Sequence, residues 1–280
     1  MYAALGIIEN SKHSGELIGV HQKLDRTARW LVAKHLPIAS MDFPNIDNIL
    51  YFEGSSGPDG LKRKSPGQDD PDYFIQPDKD DGQLITLIHN HQHNLVRALK
   101  KHDRVRASFE AAWMAHAIVD GLTPAHHYPY RKIVDELMTD KDYAKLFGHP
   151  IKGIMRGDSL AQAVRNNWLY WGAGGVMTKH IAFEYGVAYT IAAIPYKRIA
   201  PKNLKRADLQ RADVDKAFYN ALDRISTLKM YDSFLSDGWT TQLVLETRET
   251  LSPEIVRAVT LAWAACIIEA NKKEGGKNAR

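Results

Sequence analysis

The chain has 280 residues, of which 44% are hydrophobic and 25% charged. Such a chain can bury a substantial core, and its composition excludes collagen, coiled coil and disorder as whole-chain descriptions. A single cysteine, Cys266, excludes a disulfide framework and a thiolate zinc knuckle, so any metal site must be built from carboxylates and the 12 histidines. The net charge of +4 could favour an anionic substrate, yet no arginine-rich or aromatic-interleaved basic run marks a nucleic-acid surface.

Residues 1–14 read as an N-terminal extension without the charged, apolar and small-residue succession of a secretory leader. A cytoplasmic location is the default expectation, with secretion open if a leader is missing. Residues 15–271 read as one domain. Its first helix, over 15–36, carries Leu17, Leu24, Ala28 and Leu31 at helical spacing, with His21 and His35 on the same stripe. Residues 37–82 hold six of the 12 prolines and read as a long irregular loop. Helices follow over 83–101, with Leu84, Ile88, His91 and Leu95 on one face, and over 103–120, opened by Asp103 as N-cap and carrying Val105, Phe109, Ala112 and His116. Further helical patterns cover 130–147, 159–170, 175–194, 212–227 and 252–273, the last opened by Ser252 as N-cap and Pro253 in the first turn. Residues 272–280 read as a disordered tail. No sustained alternation marks a strand, so the expected fold is all-α: a single multi-helix bundle with a long loop near its cleft. No apolar run reaches 18 residues, and the most apolar stretch, 182–194, carries Glu184, so no transmembrane segment is expected.

The chemistry concentrates around residue 120. His116 and Asp120 are four apart on a helix and project from one face about 5–6 Å from each other, close enough to share an ion. Pro124 ends that helix and lets His126 turn back toward the same cavity. A second pair at the same spacing is His180 and Glu184. One such pair alone is more often a helix-surface hydrogen bond or a satisfied core histidine. Two pairs, together with His21 on an apolar face and His126 after a helix stop, point to a metal site, since burying so many titratable groups is costly without a compensating cation.

Other candidates compete less well. His89, His91 and His93 alternate, and on a helix alternate residues point about 200° apart, so they cannot converge on one ion. His91 shares a stripe with Leu84, Ile88 and Leu95 and reads as a core or supporting histidine. His127 is expected beside the site or exposed, and His149 lacks a carboxylate four residues on. Asp69, Asp70, Asp72, Asp78, Asp80 and Asp81 lack the EF-hand spacing and read as a solvated acidic loop. Trp168, Tyr170 and Trp171 read as packing between helices in preference to an apolar wall for a lipid or base.

The run His116-x3-Asp120-x3-Pro124-x-His126 resembles the core motif of the zinc-dependent phospholipase C and S1/P1 nuclease superfamily. His180-x3-Glu184 is similar to that family's second ligand pair, and His21 to the histidine on its first helix. Gly54-x3-Pro58-Asp59 resembles the loop whose aspartate binds metal in the phospholipase branch. The resemblance spans residues 15 to 190, and the helix around 257–268 is similar in character to the family's last helix. It implies two or three Zn2+ ions in a helical cleft. Asp59, His116 and Asp120 would hold the first, with Asp120 bridging; His126, His180 and Glu184 would hold the second; His21 and Asp120 would share the third. It further implies hydrolysis of phosphate diesters by a metal-activated hydroxide, with Asp59 and Asp120 as the catalytic carboxylates. The family's further histidine after the loop aspartate is absent, which leaves Asp72 or Tyr73 as substitutes. No tryptophan corresponds to the terminal ligand of secreted members, so a two-metal enzyme stays open. The expected substrate is phospholipid-like in preference to nucleic acid, with peripheral membrane contact. The alternatives are an S1/P1-like single-strand nuclease and a catalytically weakened metal-binding or interaction protein.

Overall fold

The computed structural model describes residues 19–54, 56–58, 75, 82–129 and 157–272. Asp59, Asp72, Tyr73, His149 and the helix expected over 130–147 lie outside the described residues, as do the extension 1–14 and all but the first residue of the tail 272–280. The chain is all-α, with no strand among the described residues. In chain order the helices are α1 (Val20–His35), α2 (Ile46–Glu53), α3 (Gln83–Lys100), α4 (Arg104–Leu122), α5 (Leu160–Trp171) and α6 (Val176–Ala192). They continue with α7 (Arg206–Gln210), α8 (Val214–Ser226), α9 (Met230–Asp237), α10 (Thr241–Glu246) and α11 (Ser252–Asn271). Short 3-10 turns occupy Pro124–His127 and Tyr196–Ile199.

Helix α4 is the central strut. The Asp103 side chain caps it by accepting from the Arg106 amide at 3.0 Å, which satisfies one of the orphan N–H groups of the first turn. Ala107, Ala111, Ala112, Ala115 and Ala117 are all buried, and these small side chains let neighbouring helices approach closely. Helices α2, α3, α8 and α11 pack around it. From α11, the fully buried Trp263 donates its indole N–H to the Ala111 carbonyl at 3.1 Å. Gly121, one residue beyond Asp120, lets α3 and α8 pack close: a Cβ there would lie 2.4 Å from Leu84 Cδ2 and 3.2 Å from the Phe218 ring, so that the Leu84 side chain would have to shift.

Three expectations are corrected. The segment 37–82 is not irregular throughout, because it contains α2. Asn45 caps that helix by accepting from the Asn48 amide at 2.9 Å, and Ile49, Leu50 and Glu53 form its buried face. The surrounding prolines and glycines obscure this short capped pattern in the sequence. Ser252 and Pro253 do not open a helix either, since α10 runs through a π turn at Thr247–Leu251 directly into α11. The wider turn carries the chain past Pro253, which has no N–H to donate. This continuous helix, Thr241–Asn271, is the one described helix long and apolar enough to cross a membrane, in place of the stretch 182–194; 72% of its most apolar window is buried within the bundle. The surrounding helices therefore satisfy its apolar surface. Third, Trp168 and Trp171 are exposed and only Tyr170 is buried, so the aromatic group on α5 is not inter-helix packing as a unit.

Candidate metal centre

Two triads of buried side chains converge from separate elements: His21, His116 and Asp120, and His126, His180 and Glu184. Within each triad, one potential ligand atom per residue lies within 4.8 Å of the others, a spacing that could hold a metal ion. Helix α4 presents His116 and Asp120 one turn apart, and α1 brings His21 against them, so that the two imidazoles stack at 4.3 Å between centroids and 14° between planes. His21 Nε2 lies 3.1 Å from Asp120 Oδ1, and His116 Nε2 lies 3.2 Å from Asp120 Oδ2. Both rings thus turn the same nitrogen toward one carboxylate.

Behind them stands Glu53, from the last turn of α2. His116 Nδ1 donates to its Oε1 at 2.8 Å, and His21 Nδ1 approaches the same oxygen at 3.4 Å. A carboxylate on Nδ1 fixes the tautomer that leaves Nε2 with a lone pair, the arrangement that orients metal-binding imidazoles in general. Asp25, one turn beyond His21 on α1, completes the buried acidic group, and neither of its carboxyl oxygens has a hydrogen-bond partner among the described residues. Burial and the neighbouring Glu53 charge push the Asp25 carboxyl well above the ordinary range, against the opposing pull of His116.

The second triad is built on α6 and on the 3-10 turn after α4. His180 Nε2 contacts Glu184 Oε1 at 2.9 Å across one helical turn, and His126 Nε2 reaches the same oxygen at 3.4 Å. The two rings lie 4.8 Å apart at 58°. Pro124 starts the turn, as its fixed φ and missing N–H allow, and Ile75 holds it by donating its amide to the His126 carbonyl at 3.1 Å.

The electrostatics tie the triads together. Burial alone would raise Asp120, but the charges of His116 and His126, with hydrogen bonds from His116 and His21, hold its carboxyl well below the usual range. Asp120 therefore senses a histidine from each triad. Glu184 is likewise depressed despite burial, with His180 and hydrogen bonds from both histidines of its triad among the causes. These carboxylates are ionised, as ligands of a cation must be.

Lys23 fixes how the two halves meet. It is buried on α1, and its ammonium donates to the carbonyls of Ile191 (2.9 Å), Ala192 (2.6 Å) and Ile194 (3.1 Å). These are carbonyls at and just beyond the end of α6, where unsatisfied oxygens and the helix dipole favour a cation. The bond clamps the helix of His21 to the helix of His180 and Glu184.

Six of the expected ligands, His21, His116, Asp120, His126, His180 and Glu184, are thus brought together, while Asp59, Asp72 and Tyr73 lie outside the described residues. The tract His89 to His93 does not converge. His89 pairs with Asp215 at the surface at 2.6 Å, and His91 Nδ1 bonds Glu110 at 2.6 Å, with Arg106 on the other Glu110 oxygen. His127 bonds the Gly121 carbonyl at 3.0 Å through Nε2, and burial lowers it to about 4. Sequence reasoning missed Glu53, Asp25 and Lys23. Signals existed for the two acids: His21-x3-Asp25 repeats the spacing of the two ligand pairs, and Glu53 occupies the apolar face that Ile49 and Leu50 define. Comparison of the chain with family models, with curated proteins and with solved structures finds no match in any of the three.

Proposed function

We propose that the chain is a zinc-dependent hydrolase of phosphate diesters, phospholipase C-like in its chemistry. The observation that carries this reading is the pair of buried triads that α1, α4 with its terminating turn, and α6 bring together, with Asp120 in the first and His126 of the second a few residues apart in the chain. A donor set of nitrogen and oxygen alone, in a chain whose only thiol belongs to neither triad, suits zinc, and the resemblance of the motif to the zinc-dependent phospholipase C and S1/P1 nuclease superfamily points the same way. When bound, the ions would supply water of lowered pKa and neutralise charge on the phosphoryl oxygens.

The chain's own groups then have distinct roles. Asp120 supplies both carboxylate oxygens to the first triad while facing His126 of the second. Glu53 orients His21 and His116 through Nδ1, and Glu184 completes the second triad beside the Nε2 atoms of His126 and His180. Beside the Pro124–His127 turn lies a cavity of about 470 Å³, lined in part by Tyr128, Lys229, Tyr231 and Asp232 and by none of the triad residues themselves. Its tyrosine edges and lysine suit the alcohol portion and the charge of a phosphate ester. Burial and the nearby Tyr128 and Glu184 push the Tyr231 phenol up, so it stays protonated and can donate a hydrogen bond.

Hydrolysis assays on a phosphocholine ester and on single-stranded DNA, with zinc and with chelator, test the reading. The expected result is zinc-dependent release of phosphocholine, abolished by Asp120→Asn. Cleavage of DNA alone would assign the site to the nuclease branch, and inactivity on both with zinc bound would leave a metal-binding protein.

A further inference from the structure

Helix α5 is amphipathic in the wrong sense for a surface helix. Only Asn166 and Tyr170 of its 12 residues are buried. Leu160, Val164, Trp168 and Trp171, at positions i, i+4, i+8 and i+11, fall within about 80° of arc at 100° per residue. Their exposures are 84%, 63%, 69% and 44%. Water-facing arcs of this kind normally carry charged side chains. On the neighbouring α6, Tyr185 and Tyr189 are also exposed, one turn apart. From Ser159 to Ala192 the only acidic residue is Glu184, which is buried in the second triad, while Arg165 is exposed and Lys179 partly so.

We propose that this face docks on a phospholipid bilayer containing anionic headgroups, with α5 lying in the interface and its tryptophan stripe turned into the acyl boundary. Tryptophan and tyrosine favour that boundary because their rings are apolar in body and polar at one edge. Helices that lie in the interface pair such a stripe with basic side chains on the remaining surface, and here Arg165 and Lys179 supply them, with Asp158 before the N-cap as the one exposed acid among the described residues 157–192. A second copy of the chain fits less well. The four side chains of the α5 stripe expose on the order of 500 Å² by themselves, against about 800 Å² per partner in a stable protein interface, so self-association would have to recruit Tyr185, Tyr189 and their surroundings as well. A bilayer needs no matching surface and admits a single helix of about 18 Å. Because α5 packs on α6, docking would hold the helix of His180 and Glu184 beside the lipid headgroups. The inference rests on exposure and charge and not on the metal reading: docking without hydrolysis, or hydrolysis without docking, separates the two.

The full chain is mixed with vesicles of phosphatidylcholine and phosphatidylserine whose acyl chains are brominated, and binding is read by co-sedimentation and tryptophan quenching. The chain is expected to sediment with the vesicles and to be quenched. The Trp168→Ser/Trp171→Ser double variant, altered only at exposed positions, should bind about a hundredfold more weakly, about tenfold for each ring withdrawn. Leu160→Ser should weaken binding by a smaller factor through the same stripe. Absence of binding at millimolar lipid would overturn the proposal, as would unchanged binding of the double variant. So would a dimer that the double variant dissociates in the absence of any lipid binding, because the face would then be a self-interface.

Discussion

Glu53→Gln probes the arrangement of the first triad with a change of one charge and almost no volume. The carboxylate sits behind two candidate ligands, with a full hydrogen bond to His116 at 2.8 Å and a weaker contact to His21 at 3.4 Å. Glutamine keeps one acceptor oxygen, but its amide group must then face either an imidazole N–H or the buried Asp25. The substitution therefore costs orientation and the negative charge that raises the basicity of Nε2. Partners of this kind are worth about 10 to 100-fold in metal affinity, or about 1.4 to 2.7 kcal/mol. The bond at 2.8 Å alone accounts for the lower figure, and the shared contact to His21 moves the expectation toward the upper one. Zinc titration against a competing chelator reads two binding steps separately. The step belonging to His21, His116 and Asp120 should weaken by that factor, while the step belonging to His126, His180 and Glu184, whose imidazoles bond Glu184, should move little. Equal weakening of both steps, or none in either, would refute the role given to Glu53.

Two further outcomes follow from buried groups elsewhere. Lys23→Met removes an ammonium that serves three carbonyls near the end of α6. It should destabilise the chain by about 2–4 kcal/mol in urea unfolding, and zinc should bind more weakly through the loss of the α1–α6 clamp. Burial, with a smaller contribution from Glu269, pushes the Cys266 thiol far up, so it stays protonated in the folded chain at pH 9 to 10. The unfolded thiol ionises near its ordinary value, so above about pH 9 the unfolded chain binds fewer protons, and this group lowers stability by about 1.4 kcal/mol per pH unit. Denaturation midpoints of the wild type and Cys266→Ala across that range measure the difference. A thiol that reacts at once with a disulfide reagent in the folded chain would contradict its burial.

Much of the bundle was legible because long amphipathic stripes state their own period. The helices of His116 and His180 were expected within two residues of their observed ends, and the ligand pairs followed from i to i+4 geometry. The same geometry keeps His89, His91 and His93 from converging, and it is matched by the separate partners of the first two, Asp215 for His89 and Glu110 for His91. Glu53 escaped because eight helical residues within a proline-rich segment carry too short a period to stand out, and what places the side chain at His116 is the docking of α2 on α4. Lys23 escaped for a related reason: its partners are backbone carbonyls 168 to 171 residues away, and no local pattern encodes them. The π turn before Ser252 was hidden because a serine and proline pair has the same signature whether a helix begins there or passes through.

Metal content decides most directly whether the two triads work as the account requires. Protein purified without chelator should carry at least two zinc equivalents per chain, one for each triad, with one lost in His116→Ala and one in His180→Ala. Metal-free wild-type protein, together with undiminished stability of the His116→Ala/His180→Ala double variant, would contradict it.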